Sequence, residues 1–287
     1  MSRFAMATLL LLLAPQVGAE DRFEETLSVE SGGTIFIDLD AGTVEVEGHA
    51  DDEVEVEAYS SGWGSRSMHF RLWRDGADAH LDGELGGFFG GARVRVEVRI
   101  PEVYSVEIRT GGGSIELKEI GGHVRARTSG GSIELDEAEG PAELQTSGGS
   151  IHVQELRGDL RARTSGGRIR VSDVAGEVDV RTSGGPIKID EVAGPVWART
   201  SGGPISARFS SDPEGHLETS GGSIEVEYPE GASFDLDART SGGRVRLERE
   251  IEIRGDISRG HVIGEVNGGD GGLTLRTSGG NILIEAR

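Results

Sequence analysis

The chain contains no cysteine, so disulfide staples and a cysteine-linked lipid anchor are both excluded. Lysine is nearly absent too. Of 29 basic residues only Lys118 and Lys188 are lysines, so planar, bidentate arginine carries almost all the positive charge. Aromatic residues make up only 5% of the chain, a composition that with abundant glycine could suggest disorder, but strict apolar alternation in the repeats below argues against it. An excess of positive charge is also missing. The formal net charge is −21, and bulk attraction to nucleic acid is excluded on that ground. The longest apolar run, Ala5 through Leu13, is too short for a permanent membrane-spanning helix, and no later stretch is continuously apolar, so no transmembrane anchor is expected.

What is abundant is glycine, at 47 residues, a density that rules out a helical fold. The amino terminus has the layout of a cleavable export signal: Arg3, the short apolar run, Pro15, then the small-residue site Val17-Gly18-Ala19 before Glu20. Residues 1–19 are therefore expected to be removed, giving a soluble mature chain in the periplasm, at the cell surface or secreted. Loss of Arg3 leaves 28 basic and 50 acidic residues, a net charge of −22.

Near-copies of Thr-Ser-Gly-Gly begin at Thr110, Thr128, Thr146, Thr164, Thr182, Thr200, Thr219, Thr240 and Thr277. The first six are spaced by 18 residues, a period that means a solenoid. Counting from each threonine as zero, apolar residues fall at plus 5, 7, 10, 14 and 16, as in Ile115, Leu117, Ile120, Val124 and Ala126. A period of two in each half gives two short strands per coil, each with one face inward. Glycines at plus 2, 3 and 12 mark corners where φ is positive or backbones crowd. The fold class is all-β, a parallel β-helix (β-solenoid) of about 18-residue repeats. Residues 110–287 carry the regular repeats, and residues 20–109 hold degenerate copies such as Gly32 through Ile37 together with a cap. Tyr59, Trp63, Phe70, Trp73, Phe88 and Phe89 are expected to cover the open end of the narrow core. In the 37-residue gap before Thr277 the segment Ile257 to Val262 is expected to be one degenerate coil. The terminal Ile282-Leu283-Ile284 is expected to form an uncovered edge, open to end-to-end association.

A Thr-Ser-Gly-Gly-x-Ile-x-[Leu/Val] repeat behind an export signal resembles the bacterial putative-adhesin family of β-strand-repeat domains of unknown function. The resemblance covers roughly residues 30–287, is close from Thr110 to Ser206, and breaks off between Ser60 and Gly91. It implies an envelope location and a right-handed β-helix, and it supplies no catalytic motif.

Three features could carry chemistry. Glu119, Glu137, Glu155, Asp173 and Glu191, all at plus 9, stack as a ladder of like charges that could hold a hard cation. The spacing is not that of calcium-binding rolls, and carboxylates accepting backbone N–H groups at the turns rank ahead, so no metal or cofactor is expected. Arg109, Arg125, Arg127, Arg161, Arg163, Arg181 and Arg199, with Trp197 beside the last two, form a stripe on the outward face of the second strand. Such a stripe suits an extended acidic glycan, with Trp197 as a platform for a sugar ring. Against this stands a solvated face in which the arginines pair with Glu116, Glu134, Glu143 and Asp179. Third, Gly86-Gly87-Phe88-Phe89-Gly90-Gly91 and Gly62-Trp63-Gly64 could enter a partner or fold back over the solenoid end.

Catalysis is not expected. The seven histidines are scattered without metal-ligand spacing, and regular coils leave little room for the loops that build a lyase or hydrolase cleft. The chain is therefore expected to be an exported, non-enzymatic adhesin-like protein or envelope scaffold with a binding surface for an envelope polysaccharide or another envelope protein. A specific carbohydrate-binding module is the alternative among binding proteins, and a polysaccharide-degrading β-helix the alternative among enzymes.

Overall fold

The computed structural model describes residues 21–61, 68–85, 93–248 and 253–287, and its regular structure is all β-strand. The expected leader, Gly62-Trp63-Gly64, and Gly86 through Gly91 lie outside the described residues.

Each repeat supplies one strand to each of two facing sheets. Ile115–Ile120, Ile133–Ala138, Ile151–Leu156, Ile169–Val174 and Ile187–Val192 run parallel in sheet A. Val124–Thr128, Ala142–Thr146, Leu160–Arg163, Val178–Arg181 and Val196–Thr200 run parallel in sheet B. Register follows the repeat: Ile133 pairs with Ile115 and Ile151, and Arg181 pairs with Arg163 and Arg199. The five apolar positions of each coil are buried between the sheets, so the core is a narrow stack of Ile, Val, Leu and Ala. With 13 strands in sheet A the stack is roughly 60 Å long at about 4.8 Å per strand. This is the β-solenoid that the 18-residue period predicts.

The threonine of the motif is the corner's hydrogen-bonding hub. It sits at an inward position and is buried in every coil, so its hydroxyl must find partners inside. Thr146 Oγ1 donates to the Gly131 carbonyl of the preceding coil at 2.8 Å and accepts from Gly149 N of its own coil at 3.3 Å. Thr164, Thr182 and Thr200 repeat both bonds. The second motif glycine has no room for a side chain: a Cβ on Gly149 would lie 2.0 Å from the Gly131 carbonyl oxygen. The first glycine is different. At Gly148 the nearest atom to such a Cβ is 3.6 Å away, so crowding fixes only one of the pair.

The acidic plus 9 position corrects one expectation. Glu119, Glu137, Glu155, Asp173 and Glu191 have φ between 51° and 55°, in the left-handed region. Each is skipped by the ladder, since Lys118 pairs with Asp136 and Ile120 with Ala138 while Glu119 and Glu137 are left out. Each therefore bulges its strand, with the left-handed backbone that the sequence assigns to corner glycines; the corner glycine at plus 12 is set by crowding, a Cβ on Gly122 lying 2.3 Å from the Tyr104 carbonyl oxygen. Among the described residues no backbone amide donates to these five carboxylates, so they do not cap the turns; four of them are exposed and Glu191 is half-buried.

Both ends depart from sequential stacking. In sheet B, Gly272–Thr277 lies between Gly215–Thr219 and Phe234–Thr240; in sheet A, Ile282–Ala286 lies between Ile224–Tyr228 and Val245–Glu248. The last coil is thus interior. The repeat makes this possible because both of its faces are alike: Thr277 Oγ1 donates to Gly222 O at 2.7 Å, and Thr240 Oγ1 donates to Gly280 O at 2.7 Å. Ile282, Leu283 and Ile284 therefore form no free edge, contrary to the sequence expectation. The degenerate coil expected at Ile257 to Val262 is instead an antiparallel hairpin, Ile253–Ile257 with His261–Val266, laid antiparallel on Phe234–Thr240.

The amino-terminal end mirrors this. Thr34–Leu39 lies between Asp78–Leu85 and Ser105–Thr110, and Thr43–His49 between Arg93–Pro101 and Ile115–Ile120. Antiparallel strands Asp21–Ser28, Glu53–Ser61 and Met68–Asp75 complete this end. Phe70 does cover the core, packing against Phe23 with ring centroids 5.6 Å apart. Tyr59 and Trp73 do not. They alternate with buried Ala58 and Leu72 along their strands and so point outward; Trp63, Phe88 and Phe89 lie outside the described residues.

Candidate binding face

Alternation along the sheet B strands turns every second residue outward, and parallel register aligns those residues into two columns. One column reads Glu107, Arg125, Glu143, Arg161, Asp179, Trp197, His216. The other reads Arg109, Arg127, Gln145, Arg163, Arg181, Arg199, Glu218. All eight residues of the expected stripe, Arg109, Arg125, Arg127, Arg161, Arg163, Arg181, Trp197 and Arg199, share this face. On it seven arginines meet four carboxylates, leaving a formal excess of three positive charges on a chain of net charge −21.

The carboxylates organise the arginines. Glu143 takes Arg125 Nε at 3.1 Å and Arg127 Nη2 at 2.9 Å. Hydrogen bonds from Arg127 and then Arg125 outweigh the effect of partial burial and hold the Glu143 carboxyl below the usual range. Asp179 takes Arg181 Nε at 3.0 Å, with Arg161 at 3.6 Å and Arg163 at 3.9 Å. Arg109 pairs with Glu107 and Arg199 with Glu218; His216 and Arg199 hold the Glu218 carboxyl low. Of the pairs expected from sequence, Glu143 and Asp179 are present, whereas Glu116 and Glu134 project from the opposite sheet, where they meet Lys118 and His152. Trp197 is 38% exposed, between Asp179 and His216 in register.

The sequence left Glu107 and Glu218 out of this face, although their offset of two from an arginine on a strand was a usable signal. It also missed a ring stack continuing the first column beyond Glu107. Phe36 and His80 lie 4.9 Å apart and His80 and Trp73 5.0 Å apart, nearly parallel, with Arg71 over Trp73 at 4.8 Å.

Elsewhere, Glu225, Glu227 and Glu285 bring carboxylate oxygens within 4.8 Å of one another, and Arg208 Nε donates to Glu227 at 2.7 Å. No helix among the described residues is long and apolar enough to cross a membrane.

A coiled parallel stack with a long ion-paired face defines a β-solenoid. The chain belongs to the Toastrack DUF4097 family, whose model matches residues 33–285. Among solved structures it is similar to a putative adhesin from Bacteroides fragilis, at 12% identity and TM-score 0.46 over 93% of this chain and 97% of that one. It is similar also to a putative cell adhesion protein from Clostridium sporogenes, at 12% identity and TM-score 0.27 over 93% and 100%. A third is a putative lipid binding protein from Parabacteroides distasonis, at 12% identity and TM-score 0.31 over 94% and 98%. A comparison with curated proteins finds no match.

Proposed function

We propose that this chain is an exported, non-catalytic envelope protein that binds acidic polymers along the outer face of sheet B. The observation that supports this reading most is the concentration of seven arginines there, on a molecule whose overall charge is strongly negative. Guanidiniums repeated at strand spacing match an extended ligand with repeated carboxylate or sulfate groups, because each presents a planar fork of donors. Flat geometry suits adhesion or scaffolding, where contact area matters more than enclosure. The test is binding of the mature chain, Glu20 to Arg287, to a panel of envelope glycans at low and physiological salt. Salt-sensitive retention of acidic polymers that falls when Arg125 and Arg127 are both changed to Glu supports the reading. Retention unaffected by those changes, or release of reducing ends from any polymer, overturns it.

A further inference from the structure

Most of the face balances its charges nearly one to one; around Asp179 it does not. Asp179 is 9% exposed, the most buried acid of the face, and three guanidiniums converge on its single carboxylate. Arg181 makes two bonds to it, Nε at 3.0 Å and Nη2 at 3.3 Å, while Arg161 and Arg163 stand at 3.6 and 3.9 Å. The three arginine side chains remain 49% to 57% exposed, so their remaining donors face solvent above the carboxylate. Three cations over one anion repel one another and attract a second anion. Next in the same column, one strand away, stands Trp197, with Arg199 beside Arg181 in the neighbouring column. Along the rest of the repeat-built face, from Ser105–Thr110 to Val196–Thr200, no other outward position holds an aromatic ring.

We propose that Arg161, Arg163, Arg181 and Trp197 form a discrete subsite for a pyranose ring carrying a carboxylate or sulfate, with Asp179 as the positioning residue beneath it. This rests on the binding face described above and names its strongest point. The anionic substituent sits on the arginine trio and the apolar face of the ring lies on the indole, which offers a rigid surface with a fixed orientation. Asp179 holds the guanidiniums together before the ligand arrives, so their convergence is not assembled at the ligand's expense.

The experiment is calorimetric titration of the full chain with oligogalacturonides, which carry carboxylates, and with dextran sulfate, with neutral dextran as control. Arg181→Ala and Trp197→Ala should each weaken binding of the acidic probe at least tenfold, Arg181→Lys should recover little because it restores charge without the fork, and Arg125→Ala, elsewhere on the same face, should weaken it less than Arg181→Ala does. Asp179→Asn decides the positioning role. It removes a negative charge, so a face acting by net charge alone would bind more tightly, whereas a scaffolded trio binds more weakly. Tighter binding by Asp179→Asn, or an Arg125→Ala loss equal to that of Arg181→Ala, overturns the subsite while leaving the face intact. Failure of the unaltered chain to bind either acidic probe overturns the face and the subsite together. The probe that binds tells whether the group is a carboxylate or a sulfate. Unchanged thermal unfolding of each variant ties its loss to binding.

Discussion

Thr164→Val removes one hydroxyl from the middle of the stack and keeps the side chain's shape. Thr164 is 7% exposed; its Oγ1 donates to Gly149 O at 2.8 Å and accepts from Gly167 N at 3.2 Å. Valine leaves a carbonyl and an amide without these partners at a part-buried corner. Each costs about 1–3 kcal/mol, against a gain of about 0.8 kcal/mol for the added methyl, so a net loss of ~1–5 kcal/mol is expected. For a chain of this size the middle of that range corresponds to a fall in Tm on the order of 5–10 °C. Thr164→Ser is the control, since it keeps the hydroxyl and sacrifices only a methyl, at about 1 kcal/mol. Urea and thermal unfolding of the three proteins, followed by circular dichroism, give the ranking directly. If valine proves as stable as serine or better, the threonine is conserved in the repeat for its β-branched shape and the hydrogen-bonding account of the motif is wrong.

Gly149→Ala should prevent folding or cost several kcal/mol because its Cβ meets the Gly131 carbonyl, whereas Gly148→Ala should be tolerated; equal behaviour in a solubility and Tm comparison would refute the crowding assignment. Glu137→Asn, at φ 53°, should raise stability by about 1 kcal/mol, since asparagine adopts the left-handed region more readily; a lower Tm would show that the carboxylate has a bonded role. The lowered pKa of Glu143 means its ion pairs stabilise fully above the unfolded carboxylate range and fade as pH falls through the folded value. The Tm advantage of the unaltered chain over Glu143→Gln should therefore shrink below about pH 4, and a pH-independent difference would contradict the assignment. Deleting residues 272–287 should unfold the carboxy-terminal third of the stack, because that coil fills a gap between two others; a loss confined to the deleted coil, seen by hydrogen exchange, would refute the insertion.

The sequence by itself determined the coil. An 18-residue period with apolar residues at fixed offsets leaves only one way to bury a thin core, so strands, register, inward positions and the alignment of the arginines with Trp197 were all legible. Backbone geometry within the coil was only half legible: glycine marked crowding correctly at plus 3 and plus 12, yet the left-handed bulge fell to Glu119 and its equivalents, because a repeated acid carries no signature of positive φ. Only the tertiary structure decided which coil stacks on which. A repeat whose two faces are alike accepts any other copy as neighbour, so nothing local in Gly272 through Ala286 could say that this last coil lies between two earlier ones rather than at the end. The same limit governed the face. Offsets along the chain put Asp179 near several arginines, but the convergence of three guanidiniums on one buried carboxylate beside Trp197 arises from strands 18 residues apart becoming neighbours about 4.8 Å apart.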